Sequence, residues 1–116
     1  MQTALIVEDN RIIRMMYSAG LAGYGYQVAE AQNMTEARSY LERAGAPKVL
    51  VLDLKLPDGN GMEIIRYIRE HLGQQDTKII VASGVEIAAE ELYSLGADAF
   101  LPKPVELEEI LESIQN

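Results

Sequence analysis

Asp53 ends the apolar run Lys48-Val49-Leu50-Val51-Leu52 and is followed at once by a loop, Leu54-Lys55-Leu56-Pro57-Asp58-Gly59-Asn60-Gly61. A carboxylate at the C-terminal tip of a buried strand stands where open α/β sheets place their ligands. Two other strand tips carry matching groups: Leu5-Ile6-Val7 runs into Glu8-Asp9, and Phe100-Leu101-Pro102 runs into Lys103-Pro104. Ser83 closes a further run, Ile79-Ile80-Val81-Ala82, and Gly84 beside it lets backbone approach closely. Three carboxylates about 4 Å apart repel by several kcal/mol per pair at an effective dielectric near ~20. A hard divalent cation such as Mg2+, ligated by oxygens and water, relieves that repulsion; raised carboxylate pKa values are the other route. A metal and a lysine around a carboxylate stabilise charge on a transferring phosphoryl group, with the carboxylate as nucleophile. No nucleotide-binding loop or anchored substrate pocket is legible, so the donor is expected to arrive from outside.

Taken singly these residues mean little, because an Asp at a strand end is usually a turn or cap residue and Lys-Pro is usually a loop. Their concurrence at four strand tips carries the chemical reading. The positioning elements follow from the apolar pattern. Short, β-branched runs at Ala4 to Val7, Val28 to Ala31, Val49 to Leu52, Ile79 to Ala82 and Ala99 to Leu101 read as strands buried on both faces. Between and after them Met34, Ala37, Leu41 and Ala44, then Ile65, Ile68 and Leu72, then Ala88, Leu92 and Leu95, then Leu107, Ile110, Leu111 and Ile114 fall on helical stripes. A first helix from about Arg11 directs Ile12, Ile13 and Met16 toward the sheet. Gly20, Gly23 and Gly25 end that helix, where a dinucleotide-binding loop would have to start one.

This alternation predicts one flavodoxin-like domain over residues 1–116: an open five-stranded parallel sheet, order 2-1-3-4-5, with five helices on both faces. First and third strands adjoin in that order, which brings Glu8 and Asp9 to Asp53. The absence of cysteine excludes disulfides and thiolate metal sites, and His71 alone cannot build a zinc centre; it is expected on the solvated surface. A formal charge of -8 argues against direct contact with nucleic acid. Lacking a signal-type segment or a long apolar stretch, the chain is expected in the cytoplasm, with no membrane association.

Leu5-Ile6-Val7-Glu8-Asp9, Val51 through Gly61, Ser83-Gly84 and Gly96 through Pro104 together resemble the receiver domain of two-component response regulators, from Thr3 to about Gln115. That resemblance implies a phosphoprotein of a phosphorelay, with Asp53 accepting a phosphoryl group from a sensor histidine kinase or phosphotransfer protein. It implies Mg2+ held by Glu8, Asp9, Asp53 and the backbone carbonyl of Lys55, with Ser83 and Lys103 on the phosphoryl oxygens. Phe100 falls at the switch-aromatic position, and phosphorylation would remodel the surface of the fourth helix, fifth strand and fifth helix, a possible homodimer face. The family also implies a cis Lys103-Pro104 bond and at most weak autophosphatase activity rather than dedicated enzyme catalysis.

Two positions depart from the commoner family pattern: Glu8 replaces an Asp, and Phe100 lacks a tyrosine hydroxyl. Lys55, two residues beyond the acceptor, is a solvent-facing loop residue or a brake on hydrolysis. At that same spacing a dehalogenase-like phosphatase would carry a second acid, which counts against that enzyme class. A degenerate receiver serving only dimerisation is a third reading, opposed by the intact acidic set.

Overall fold

The computed structural model describes residues 2–115. Strand β1 (Thr3–Val7) leads to helix α1 (Arg11–Gly23), β2 (Gln27–Ala31), α2 (Met34–Ala44) and β3 (Val49–Leu52). Helix α3 (Met62–Arg66) continues into a π-helical turn (Tyr67–His71), followed by β4 (Lys78–Ser83), α4 (Ala89–Leu95), β5 (Ala99–Pro102) and α5 (Leu107–Gln115). All five strands pair in parallel in the order β2-β1-β3-β4-β5, the order expected. The loop after β3 holds a small unanticipated ladder, Lys55–Leu56 against Gly59–Asn60.

Strand side chains alternate between the faces, so each strand feeds two core layers. Leu5, Leu50, Leu52, Ile79 and Val81 pack with Leu41 of α2, Ile64 and Ile65 of α3, and Leu92 of α4. Ala4, Ile6, Val51 and Ile80 pack on the other face with Tyr17 and Leu21 of α1 and Ile110 of α5.

The expected inward face of α1 needs correction. Ile12 and Met16 are 65% and 55% exposed, while Tyr17 and Leu21 are buried and Ile13 packs beside them. The buried stripe is Ile13-Tyr17-Leu21, an i, i+4, i+8 row that hydrophobicity alone could not separate from its neighbours. Helix α4 is also shorter than its stripe suggested. Ala88 is its exposed N-cap, and of the expected face only Leu92 is buried. His71 is exposed as expected and stacks on Tyr67, with ring centroids 4.8 Å apart.

Helix α2 is started by two carboxylates. Asn33 caps the Glu36 N–H at 2.8 Å, while the Glu36 carboxylate reaches back past the cap to accept the Gln32 N–H at 3.0 Å. Asp58, from the loop after Asp53, accepts the Met34 N–H at 2.7 Å and both the N–H and hydroxyl of Thr35 at 3.0 and 2.8 Å. Loop and helix are thereby tied together.

Arg69 does similar work at the opposite end of the sheet. Its guanidinium donates to the carbonyls of Gly96, Gln74 and Thr77 at 2.8 to 3.0 Å and pairs with Asp98 at 3.0 Å. Gly96, at φ +116°, ends α4, and a Cβ there would meet the Arg69 side chain at 2.7 Å. Arg69→Ala leaves three carbonyls without this donor, so it should destabilise the domain by about 3 kcal/mol; a lower urea midpoint with unchanged slope would verify this.

The Asp58 carboxyl is held below its ordinary 3.8, chiefly by the Met34 N–H, and Glu36 below 4.5 by the Gln32 N–H. Depressed carboxylates stabilise fully above their unfolded pKa and lose that contribution as pH falls through the folded value. Asp58→Ala should therefore melt earlier than the native chain at pH 7. The gap should narrow once the pH drops below 3.8, which melting curves across the acid range would reveal.

Candidate functional site

Adjacent strands β1 and β3 end side by side, with Val7 opposite Leu52 in register and the Asp53 N–H donating to the Val7 carbonyl at 2.9 Å. The next residues, Glu8 and Asp9 on one tip and Asp53 on the other, leave the sheet together. One carboxylate oxygen from each lies within 4.8 Å of the others. Strands β4 and β5 deliver the remaining groups, because Ser83 ends β4 and the Lys103 N–H bonds to the Ser83 carbonyl at 3.0 Å.

The side chains form one connected set. Asp53 Oδ1 accepts the Ser83 hydroxyl at 2.9 Å and the Lys55 N–H at 3.2 Å. Asp53 Oδ2 accepts Lys103 Nζ at 2.9 Å, and the same ammonium donates to Glu8 Oε1 at 2.7 Å. Glu8 Oε2 accepts the Asn10 N–H at 3.0 Å. Glu8 is 2% exposed and Asp53 6%, whereas Asp9 is open to solvent. The Lys103-Pro104 bond is cis, as expected.

One ammonium faces two buried carboxylates, and the pKa values of Glu8 and Lys103 both lie above their ordinary values. Burial pushes the Glu8 carboxyl up, and the Lys103 hydrogen bond and Asn10 N–H offset this only in part. For Lys103, burial pulls down but the hydrogen bonds to Glu8 and Asp53 outweigh it, so its pKa lies above 10.5. An added cation would relieve the repulsion that Lys103 leaves uncompensated. Three carboxylates against one lysine leave two negative charges when all are ionised, matching one divalent ion, and the donor set is entirely oxygen.

A cavity of about 640 Å3 opens above this set, lined by Asp9, Asp53, Lys55, Leu56, Pro57, Ser83, Gly84, Val85 and Lys103. Its walls leave room for a phosphoryl group to reach Asp53. Gly61 supports the loop from below, since a Cβ there would collide with the Asp53 carbonyl. Phe100 lies on β5 opposite Val81, half-buried against the α2/α3/α4 core layer, near but outside the cavity lining.

The side chains of Glu8, Asp9, Asp53, Ser83 and Lys103 converge, and the Lys55 backbone reaches Asp53 through its N–H, where the expectation concerned its carbonyl. Sequence reading missed Asn10, which both caps α1 through Ile13 N–H and donates to Glu8; an Asn immediately before a helical pattern is the available signal. It also missed Arg14 and Arg69, which read as helix-surface charges and have no local signature of burial.

Comparison with known proteins agrees with this geometry. PilR of Pseudomonas aeruginosa is 34% identical over 113 residues, 97% of this chain but 25% of that protein. PhoP of Escherichia coli K12 is 32% identical over 111 residues, 96% of this chain and 49% of that protein. The chain thus spans at most about half the length of these curated relatives. A Burkholderia pseudomallei response regulator with a phosphorylated aspartic acid, calcium ion and citrate superposes with a TM-score of 0.87 at 30% identity, covering 100% of this chain and 68% of that one. The beryllofluoride-activated NtrC4 receiver domain dimer gives 0.86 at 33% identity, covering 99% and 94%. Residues 4–115 match the response regulator receiver domain model, and this chain belongs to that family.

Proposed function

We propose that Asp53 is the phosphoacceptor of this receiver domain, taking its phosphoryl group from a phosphohistidine on a sensor kinase or phosphotransfer protein. The observation that carries this is the convergence of Lys103 and Ser83 on one buried, cavity-facing carboxylate at 2.9 Å each. An Asp53 oxygen forms the new bond to phosphorus while the phosphorus-nitrogen bond to the donor imidazole breaks, and the imidazole leaves with the bonding pair. Lys103 and Ser83 then exchange Asp53 oxygens for phosphoryl oxygens.

Asp9, Asp53 and the Lys55 carbonyl are the direct ligands available to Mg2+, which when bound neutralises charge on the phosphoryl oxygens. Glu8, which accepts from Lys103 and from the Asn10 N–H, would join them around the ion and also holds the lysine. The resident chemistry is that of a switch with at most slow self-dephosphorylation. There is no helix among the described residues long and apolar enough to cross a membrane, and a cytoplasmic kinase partner fits this.

Output runs through Ser83. A phosphoryl group adds roughly -1.5 to -2 charges and draws the Ser83 hydroxyl off Asp53, which reorders the backbone from Val85, itself bonded to Ser83 Oγ at 3.3 Å. Residues 84–88, outside any helix, absorb the change, and Phe100 moves inward as space opens. Residues 79–116 carry eight acids and Lys103 as their sole cation, so seven of the eight net negative charges lie there. A basic protein surface suits the α4-β5-α5 face better than a second copy, which would set acids against acids; homodimerisation is the alternative.

Incubation with acetyl phosphate and Mg2+ should add one phosphoryl group by mass spectrometry, and Asp53→Asn or excess EDTA should abolish stable incorporation. Undiminished labelling of that variant would relocate the acceptor. Beryllofluoride, a phosphoryl mimic, should shift backbone amide NMR signals at Ser83, through 86–95 and near Phe100. Shifts restricted to the neighbours of Asp53 would favour a non-switching module.

A further inference from the structure

The acidic loop between β1 and α1 is held from behind by one arginine. Arg14 lies on the first turn and a half of α1, with its side chain 13% exposed. Its Nη1 donates to the Glu8 carbonyl at 2.8 Å and reaches the Asp9 carbonyl at 3.5 Å, while its Nε pairs with Glu30 of β2 at 3.0 Å. The carbonyls it holds belong to the two residues whose carboxylates face Lys103 and the cavity. Nothing else among the described contacts ties the Asp9 backbone from that side.

We infer that Arg14 is a positioning residue for cation binding: anchored on Glu30, it fixes the Glu8-Asp9 backbone so that Asp9 is aimed at the ion beside Asp53. This rests on the reading of the acidic cluster as a divalent-cation site. Two effects of the guanidinium oppose each other. Its positive charge raises the local potential and disfavours a second cation, whereas its planar fork removes freedom from the loop that must supply the ligand. Geometry dominates, because Arg14 is spent on Glu30 and its charge is largely compensated there, and because disordering a ligand loop is felt in full at each binding event. Lysine at this position keeps the charge but has no fork to span Glu30 and the Glu8 carbonyl together.

The test is Mg2+ titration of native, Arg14→Met and Arg14→Lys chains, followed by amide NMR shifts at Asp9 and Asp53, with Asp9→Ala as the ligand-loss control. Partners that orient metal ligands typically change affinity by about tenfold or more, so both Arg14 variants should bind Mg2+ about tenfold more weakly. Tighter binding by Arg14→Met, with Arg14→Lys unchanged, would show that charge repulsion rules and overturn the inference. A second reading needs no metal: hydrogen exchange at the Asn10 amide, which donates to Glu8, should accelerate in both variants while core amides such as those of Leu5 and Val51 stay protected. Accelerated exchange with no Mg2+ response in the native chain would leave Arg14 as a loop clamp and remove the cation from both proposals. Unchanged Asn10 exchange overturns the positioning role outright, whatever the metal does.

Discussion

Lys103 is a single ammonium shared by two nearly buried carboxylates, and the rest of the site is arranged around that imbalance. Neither Glu8 nor Asp53 can be withdrawn from water without it, yet one positive charge cannot satisfy three acids. In the function proposed above, a divalent cation would complete the compensation and a phosphoryl group would re-engage the same lysine. A core of apolar residues at these tips would have been more stable and chemically inert.

Such a site survives only if its loops are fixed from outside the cluster. Arg14, Asn10 and Asp58 do this at the site, and Arg69 plays the same part at the opposite end of the sheet. Arg14 and Asn10 secure the loop carrying Glu8 and Asp9, Asp58 secures the loop after Asp53 to the start of α2, and Arg69 fastens the end of α3 to the end of α4. Among the described residues, the segment 84–88 between Ser83 and the seven-residue α4 shows no remote side-chain anchor of this kind.

Charge is partitioned along the same line. Residues 1–78 carry ten acids and nine bases, while every charged residue beyond Ile79 is acidic apart from Lys103, which is turned inward. The half proposed to carry the output is therefore also the half whose surface is electrostatically distinctive, and a partner docking there would meet a strongly negative field.

Much of this was legible in the residues themselves. Parallel strands buried on both faces must be apolar throughout, so Val49 to Leu52 and Ile79 to Ala82 announced themselves, and chemistry confined to strand tips made Glu8, Asp9, Asp53, Ser83 and Lys103 readable as a group. The sheet order followed because short βα units permit few topologies. Which face of α1 turns inward was not legible: Ile12, Ile13, Met16 and Tyr17 are all apolar enough, and only contact with β1 and α5 selects Ile13 and Tyr17. The arginines were equally opaque, since a charged side chain on an amphipathic helix normally points to water, and burying Arg14 and Arg69 is favourable only where folding brings several carbonyls and an acid to one place. Local sequence thus determined the strands, the order of the sheet and the identity of the reactive groups, because those depend on apolar period and on tip position. The tertiary structure alone decided which polar side chains leave water to hold the loops, because that depends on partners remote in the chain.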